Sequence, residues 1–250
     1  MIEDKKKPLI FRIIKRIVCL FYKKYTIVFN TDVETHGHFY ISNHAQLHGP
    51  LGLYLYFPFR KYIWVIGQMC NRKEVYAYAM DDFWRNKSKY TKWLYKIFAK
   101  LIVAPFASFL FNRADTIPVY KDARLRFTMK ETIKRLCEGK DIIIFPEGRE
   151  HYNKFINDFQ IHFVDVAKPY YHKTGIKAKF YPVYTCHDLK IVLIGEPIEF
   201  DPDNKLDDER RRIINYLQNE ITRLGESLPN HRIVPYDNIK KRLYPYSKGD

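Results

Sequence analysis

The run DIIIF, residues 141 to 145, is the strongest constraint on what this chain can fold into. It is apolar at successive positions after Asp141 and stops abruptly at Pro146, so a strand made from it has to be covered on both faces. A sheet flanked by helices on either side does that. The surrounding pattern agrees, because strand-like and helix-like segments alternate. TIVFN (26–30), HFYISN (38–43), KYIWVIG (61–67), TIPVY (116–120), KAKFYPVY and KIVLIG read as strands. A helix is expected to begin at Pro50, others over KEVYAYAMDDFW, over Thr91–Phe111, around Phe159–Lys173 and over Leu206–Leu224. Between Asp122, a capping residue, and Gly139, a stop, Leu125, Met129, Ile133 and Leu136 form a helical stripe. This alternation predicts an α/β fold, a largely parallel mixed sheet flanked by helices.

With 250 residues, 46% of them hydrophobic, the chain suits one large core domain, expected over 26–228, with a polar and aromatic tail over 229–250 that carries no assignable element. The four cysteines are far apart and form no CxxC pair, which points to a reducing compartment. Forty-three basic residues against 28 acidic ones give a formal charge of +15, which favours anionic partners. The segment 1–25 narrows the choice. Leu9, Ile10, Ile13, Ile14, Ile17, Val18 and Phe21 recur at helical spacing, with Arg12, Lys15, Arg16, Lys23 and Lys24 mainly opposite them. This predicts an N-terminal basic amphipathic helix in a membrane interface, too short and too charged to span and followed by no cleavage site; a helix packed on the domain is the alternative. The segment Trp93–Phe111 is nearly long enough to span, yet Lys96, Lys100 and Pro105 make it either a core helix broken near Pro105 or a second membrane-facing patch.

Ligands of such sheets gather beyond the carboxyl ends of strands, so the residues just after strand runs are the first candidates. Asn43, His44 and His48 follow HFYIS, Lys121 follows TIPVY, and Glu147, Gly148 and Arg149 follow DIIIF. Arg149 suits a bidentate phosphate contact, and Glu147 suits accepting from a hydroxyl or orienting a cation. Alone, the two also read as a surface ion pair and Lys121 as a solvated lysine. For YISNHAQLHGP three readings stand: His44 as a base, His44 and His48 as halves of a metal site, or a polar loop that satisfies strand-end backbone groups. His38, His44 and His48 straddle a strand, a loop and a helix start without HExxH spacing, so no metal site is expected. Glycine-rich phosphate loops are absent from the sequence.

In that order, SNHAQLHGP, TIPVYKD, FPEGRE and FYPVY resemble the four sequence blocks of the glycerolipid acyltransferases of the lysophosphatidic acid acyltransferase type, and IGEPIEF resembles their last core strand. The resemblance covers Tyr40 to Phe200. It implies acyl transfer from a thioester to a hydroxyl at a membrane surface, with a histidine as the base and, after four intervening residues, an aspartate that orients it. His44 matches the histidine; Gly49 stands in the aspartate's place. The orienting role then falls to a carboxylate from elsewhere, Glu74, Asp81 or Asp82, or to His48 as orienter or second base. Lys121 matches the residue that contacts the acceptor's phosphate, Glu147 and Gly148 match the acceptor-pocket turn with Arg149 next to it, and Pro182 matches a wall near the acyl donor.

The reading that follows is a peripheral membrane O-acyltransferase on the cytoplasmic face of a membrane. It would act on a lysolipid or other anionic polyol or glycolipid acceptor. No cofactor is expected, since acyl-CoA or an acidic acyl-carrier protein enters as co-substrate. The expected partners are that donor and the anionic membrane surface. Nucleic acid is not expected, because no known module is recognisable and the basic residues lie on the amphipathic helix and about the anion site. The alternative is a non-catalytic lipid-headgroup-binding relative of the same fold.

Overall fold

A computed structural model describes residues 7–33, 37–81, 84, 88 and 90–249. Along the chain the helices are α1 Leu9–Phe21, α2 His48–Tyr56, α3 Arg72–Asp81, α4 Lys92–Phe98, α5 Ala104–Arg113, α6 Leu125–Cys137, α7 Ala167–Thr174 and α8 Leu206–Ser227. The strands are β1 Thr26–Phe29, β2 Phe39–Ser42, β3 Lys61–Ile66, β4 Thr116–Val119, β5 Asp141–Ile144, β6 Glu147–His151, β7 Asn157–Phe159, β8 Lys179–Cys186, β9 Ile191–Ile194 and β10 Ile198–Glu199. The chain divides into two compact units, Met1–Phe21 with Tyr62–Glu131, and Tyr22–Lys61 with Thr132–Asp250.

The second unit carries the sheet order β1-β9-β8-β2-β5. β2 runs parallel to both β5 and β8, and β1 parallel to β9, while β8–β9 and β8–β10 are antiparallel. The expected mixed, mostly parallel α/β fold is therefore the one observed. β2 and β5 are buried at every position, as the unbroken DIIIF run requires. Cross-strand partners reinforce the register: Phe39 stacks on Phe180 at 4.8 Å and Tyr40 on Tyr181 at 5.1 Å. Pro182 lies inside β8 without breaking it. The antiparallel partner β9 ends at Ile194, opposite Val183, and β10 resumes opposite Phe180, so proline's missing N–H falls in the gap while its carbonyl accepts from Gly195 at 2.9 Å.

α8 lays Ile213, Ile214, Leu217, Ile221 and Leu224 onto β8. Its acidic first turn, Asp207 to Glu209, complements the helix dipole. Gly139 ends α6 in the left-handed region, φ 69°, as expected of a stop. The predicted helix over 159–173 is instead a 3₁₀ segment, Ile161–Val166, followed by α7; Pro169 cannot donate to the carbonyl four residues back, which prevents one continuous α ladder. α2 starts two residues before Pro50. The segment after DIIIF, for which the sequence pattern assigned no element, forms the β6–β7 hairpin. The unassigned tail packs back: Ile233 and Val234 are buried, Arg232 bridges to Tyr246, and the buried His231 accepts from the Tyr184 hydroxyl at 2.8 Å.

In the first unit β3 and β4 pair in parallel. α1 buries Phe11 alone and leaves Leu9, Ile10, Ile13, Ile17, Leu20 and Phe21 exposed. α4 and α5 join through a π turn, Ala99–Val103, in which Ala104 N–H reaches back five residues to Ala99. That register shift accommodates Pro105 without a break. The resulting helical stretch, Lys92–Arg113, is long and apolar enough by composition to cross a membrane, with mean hydropathy 1.6 in its most apolar window and 17% of that window buried.

Candidate active site

β2 delivers Asn43 and His44 to the carboxyl edge of the second unit's sheet. Asn43 is a clamp: its Oδ1 accepts from Thr185 N–H at 2.7 Å and its amide donates to the Thr185 carbonyl at 3.2 Å, tying the end of β2 to β8. The reading of a polar residue satisfying strand-end backbone is correct for Asn43.

The chain then reverses. Ala45 and Gln46 both adopt left-handed backbone, φ 44° and 54°, an arrangement that costs non-glycine residues on the order of 1–3 kcal/mol each. The reversal brings the Gln46 carbonyl onto Nδ1 of His44 in a short hydrogen bond. A carbonyl only accepts, so Nδ1 carries the proton and Nε2 keeps the lone pair. Among the described residues nothing hydrogen-bonds Nε2. The ring is held edge-on by Phe145 and Tyr236, each with centroids at 5.5 Å. Burial depresses the imidazole's pKa below the ordinary histidine value, with the Gln46 hydrogen bond opposing.

Glu147, 3% exposed, lies at the start of β6 beneath this loop. One carboxylate oxygen accepts from the backbone N–H of His44 and the other from that of Asn157 at 2.9 Å. Its pKa is pushed up to about 7, chiefly by burial; the two N–H donors pull the other way, and the Asp237 carboxylate adds to the rise. Glu147 thus fixes the main chain that carries His44. Gly148 continues β6, its carbonyl accepting from the Asn157 amide at 2.9 Å, and Arg149 is exposed on the same strand.

The structure also accounts for Gly49. A Cβ there would lie 2.6 Å from the His44 carbonyl oxygen and 2.7 Å from that of Asn43, both backbone atoms. This loop has no room for an aspartate at that position. The orienting acceptor is a main-chain carbonyl three residues earlier. Gln46 is braced in turn, its side-chain amide donating to the Asp237 carbonyl and to the Tyr244 hydroxyl, each at 3.0 Å. Tyr236, Asp237 and Tyr244 were not among the residues singled out from sequence, and Gln46, which with His48 hinted at an unusual acceptor, was not given this orienting part. The Gln46 role belongs to the backbone, which leaves no mark on residue type, and the other three lie in the unassigned tail.

The remaining candidates sit elsewhere. His48 turns away from His44 and stacks on His187, centroids 3.4 Å apart, with the Tyr22 hydroxyl at its Nδ1. In the first unit, Lys121 is exposed in the turn after β4. The Glu74 carboxylate accepts from Arg124 at 3.0 Å and from Asn71 at 2.9 Å. Asp81 ends α3, and Asp82 lies outside the described residues. Among the described residues no group of three or more His, Cys, Asp or Glu side chains is placed to hold a metal ion.

The chain matches no protein-family profile. It matches no curated protein. Among solved structures, it is similar to the crystal structure of the 1-acyl-sn-glycerophosphate (LPA) acyltransferase PlsC from Thermotoga maritima, with 12% identity, a TM-score of 0.47, and coverage of 88% of this chain and 80% of that one.

Proposed function

We propose that the protein is a peripheral membrane O-acyltransferase that moves an acyl group from a thioester, acyl-CoA or acyl-carrier protein, to a hydroxyl of a lysolipid or other anionic polyol or glycolipid acceptor. The observation that carries this reading is His44, a neutral imidazole with its Nδ1 proton committed to the Gln46 carbonyl and its Nε2 lone pair unengaged among the described residues. It sits in the first of four sequence blocks that together resemble an acyltransferase family.

In this mechanism Nε2 takes the proton of the acceptor hydroxyl as its oxygen attacks the thioester carbonyl. The tetrahedral oxyanion collapses, the C–S bond breaks, and the imidazolium returns the proton to the leaving thiolate. The Gln46 carbonyl keeps the tautomer that makes Nε2 the base, the part a carboxylate plays in a serine-hydrolase triad. Glu147 holds the loop through two backbone N–H groups. Lys121 and Arg149 are assigned to the acceptor's phosphate by their places in the second and third blocks. The exposed apolar residues of α1, with the basic residues beside them, support docking on anionic lipid, on the cytoplasmic face.

The second reading, a lipid-headgroup-binding relative without turnover, rests on the absence of the aspartate. Thiol release from acyl-CoA and from acyl-carrier protein, across a panel of lysolipid and glycosylated acceptors, separates the two. Acceptor-dependent release lost in His44→Ala is expected; no release from folded, vesicle-bound protein would favour the binding relative.

A further inference from the structure

The helical stretch from α4 through the π turn to α5 is built inside out. In a helix packed on a soluble core the large apolar side chains face inward and the polar ones outward. Here the buried positions are Ala99, Ala104 and Ala107, the last two packed with Val75 of α3. Ser108 donates to the Cys70 carbonyl at 3.0 Å, and the Asn112 amide donates to the same carbonyl at 2.7 Å. Outward stand Trp93, Ile97 and Leu101, with Leu94, Phe98 and Ile102 beside them, each series at a spacing of four residues and all between 46% and 65% exposed. Small residues inward and large apolar ones outward is the arrangement of a helix whose outer solvent is lipid.

Composition would let this stretch cross a bilayer, but its packing does not. α3 lies along α4, the π turn and α5, and its first turn carries Arg72, Lys73 and Glu74. A spanning helix would carry those charges into hydrocarbon. The charge-free run from Leu101 to Asn112 is also only about 18 Å long at 1.5 Å per residue, against a hydrocarbon core of about 30 Å. A helix lying flat in the interface meets neither difficulty. Lys96 and Lys100, both exposed, run beside the apolar series at the same spacing, where a flat helix places ammonium groups at headgroup level. α1 belongs to the same compact unit, and the Lys7–Asp115 ion pair at 2.7 Å ties the chain just before α1 to the chain just after α5.

We propose that the α4–α5 stretch is a second membrane contact, lying in the plane of an anionic bilayer with Trp93, Ile97 and Leu101 in the acyl region and Lys96 and Lys100 against the phosphates. Lys92–Arg113 contains no acidic residue. A second copy of the chain would therefore bring the same lysines to this face with no carboxylate to meet them, whereas an anionic headgroup layer supplies the opposite charge. This contact rests on the membrane-surface reading given above, adds a second element to it, and does not depend on acyl transfer at His44.

The test uses the full chain and vesicles of phosphatidylcholine with phosphatidylglycerol, without donor or acceptor. With Trp64→Phe and Trp84→Phe in place, Trp93 reports on the first half of the stretch; Phe106→Trp, in a background that also carries Trp93→Phe, reports on the second. Bromines near the headgroup end of the acyl chains should quench both reporters more strongly than bromines near the methyl end. Ile97→Asp with Leu101→Asp should weaken vesicle binding roughly tenfold or more while leaving the melting temperature within about 2 °C, since both side chains are exposed. Lys96→Gln and Lys100→Gln should each weaken it about fivefold, and His44→Ala should bind as the wild type does. Binding by the wild type with neither reporter quenched would overturn the proposal and leave the membrane contact to α1. Stronger quenching of either reporter by the methyl-end bromines would overturn it in favour of a spanning or re-entrant helix. A dimer in solution that Ile97→Asp with Leu101→Asp dissolves, with vesicle binding unchanged, would overturn it in favour of a second copy. A wild type that binds no vesicles would refute the membrane-surface reading itself, and this contact with it.

Discussion

Introducing an aspartate at position 49 should damage this protein rather than improve it. The ideal Cβ at that position comes within 2.6 Å and 2.7 Å of two backbone oxygens, where ordinary contacts begin near 3.4 Å. Neither oxygen belongs to a flexible side chain. Both lie in the stretch that Asn43 clamps to Thr185 and Glu147 holds through the His44 N–H, and Gly49 N–H itself donates to the His44 carbonyl at 3.0 Å. Relieving an overlap of this size against fixed backbone costs about 3 kcal/mol, the upper part of the overpacking range. For a chain of this length that corresponds to a fall of roughly 6–12 °C in melting temperature. Gly49→Ala meets the same two oxygens and should lose nearly as much, which separates the steric effect from the new charge. Denaturant unfolding monitored by fluorescence gives the stability, and thiol release gives the activity. A Gly49→Asp protein as stable as wild type and more active would refute the account, since it would show that the loop can open for a side chain and that a carboxylate serves His44 better than the Gln46 carbonyl.

Gln46→Ala removes the two hydrogen bonds to Asp237 and Tyr244 and should lower kcat by as much as roughly 10²-fold with KM little changed, because a base displaced by about an ångström loses that much; steady-state thiol release decides it. Since burial places the His44 pKa below 6.5, the acid limb of a kcat/KM profile should fall below pH 6.5, and a limb above pH 7 would contradict the assignment of His44 as a buried base. Glu147 is raised from 4.5 unfolded to about 7 folded, so the folded state binds more protons between those values; its contribution to stability is complete below pH 4.5 and falls by roughly 3 kcal/mol as pH rises to 7, a slope that Glu147→Gln should flatten in denaturation measured across that range. On α1, Ile13→Asp with Ile17→Asp should leave the melting temperature within about 2 °C, as both side chains are about half exposed, yet reduce sedimentation with anionic vesicles; unchanged sedimentation would remove α1 from the membrane contact.

Much of the architecture follows from local pattern. DIIIF required a strand covered on both faces, the stripe from Leu125 to Leu136 with its glycine stop required α6, and the charge segregation of α1 was visible before any coordinates, since each depends on periodicity within one element. The placement of His44 and Glu147 was legible for a related reason: both follow strand runs, and the structure sets them side by side there. Three features were beyond reach. The orienter of His44 is a carbonyl, identical in every residue, and it is placed by two left-handed φ angles that neither alanine nor glutamine favours. The need for glycine at position 49 comes from the oxygens of residues 43 and 44, a close approach that exists only once the loop has folded. The Tyr236 and Tyr244 contacts, like the pairing of His48 with His187, join residues far apart in the chain. Periodicity sets what each segment becomes, because it acts over one or two turns of backbone; which side chains then meet is decided by long-range packing.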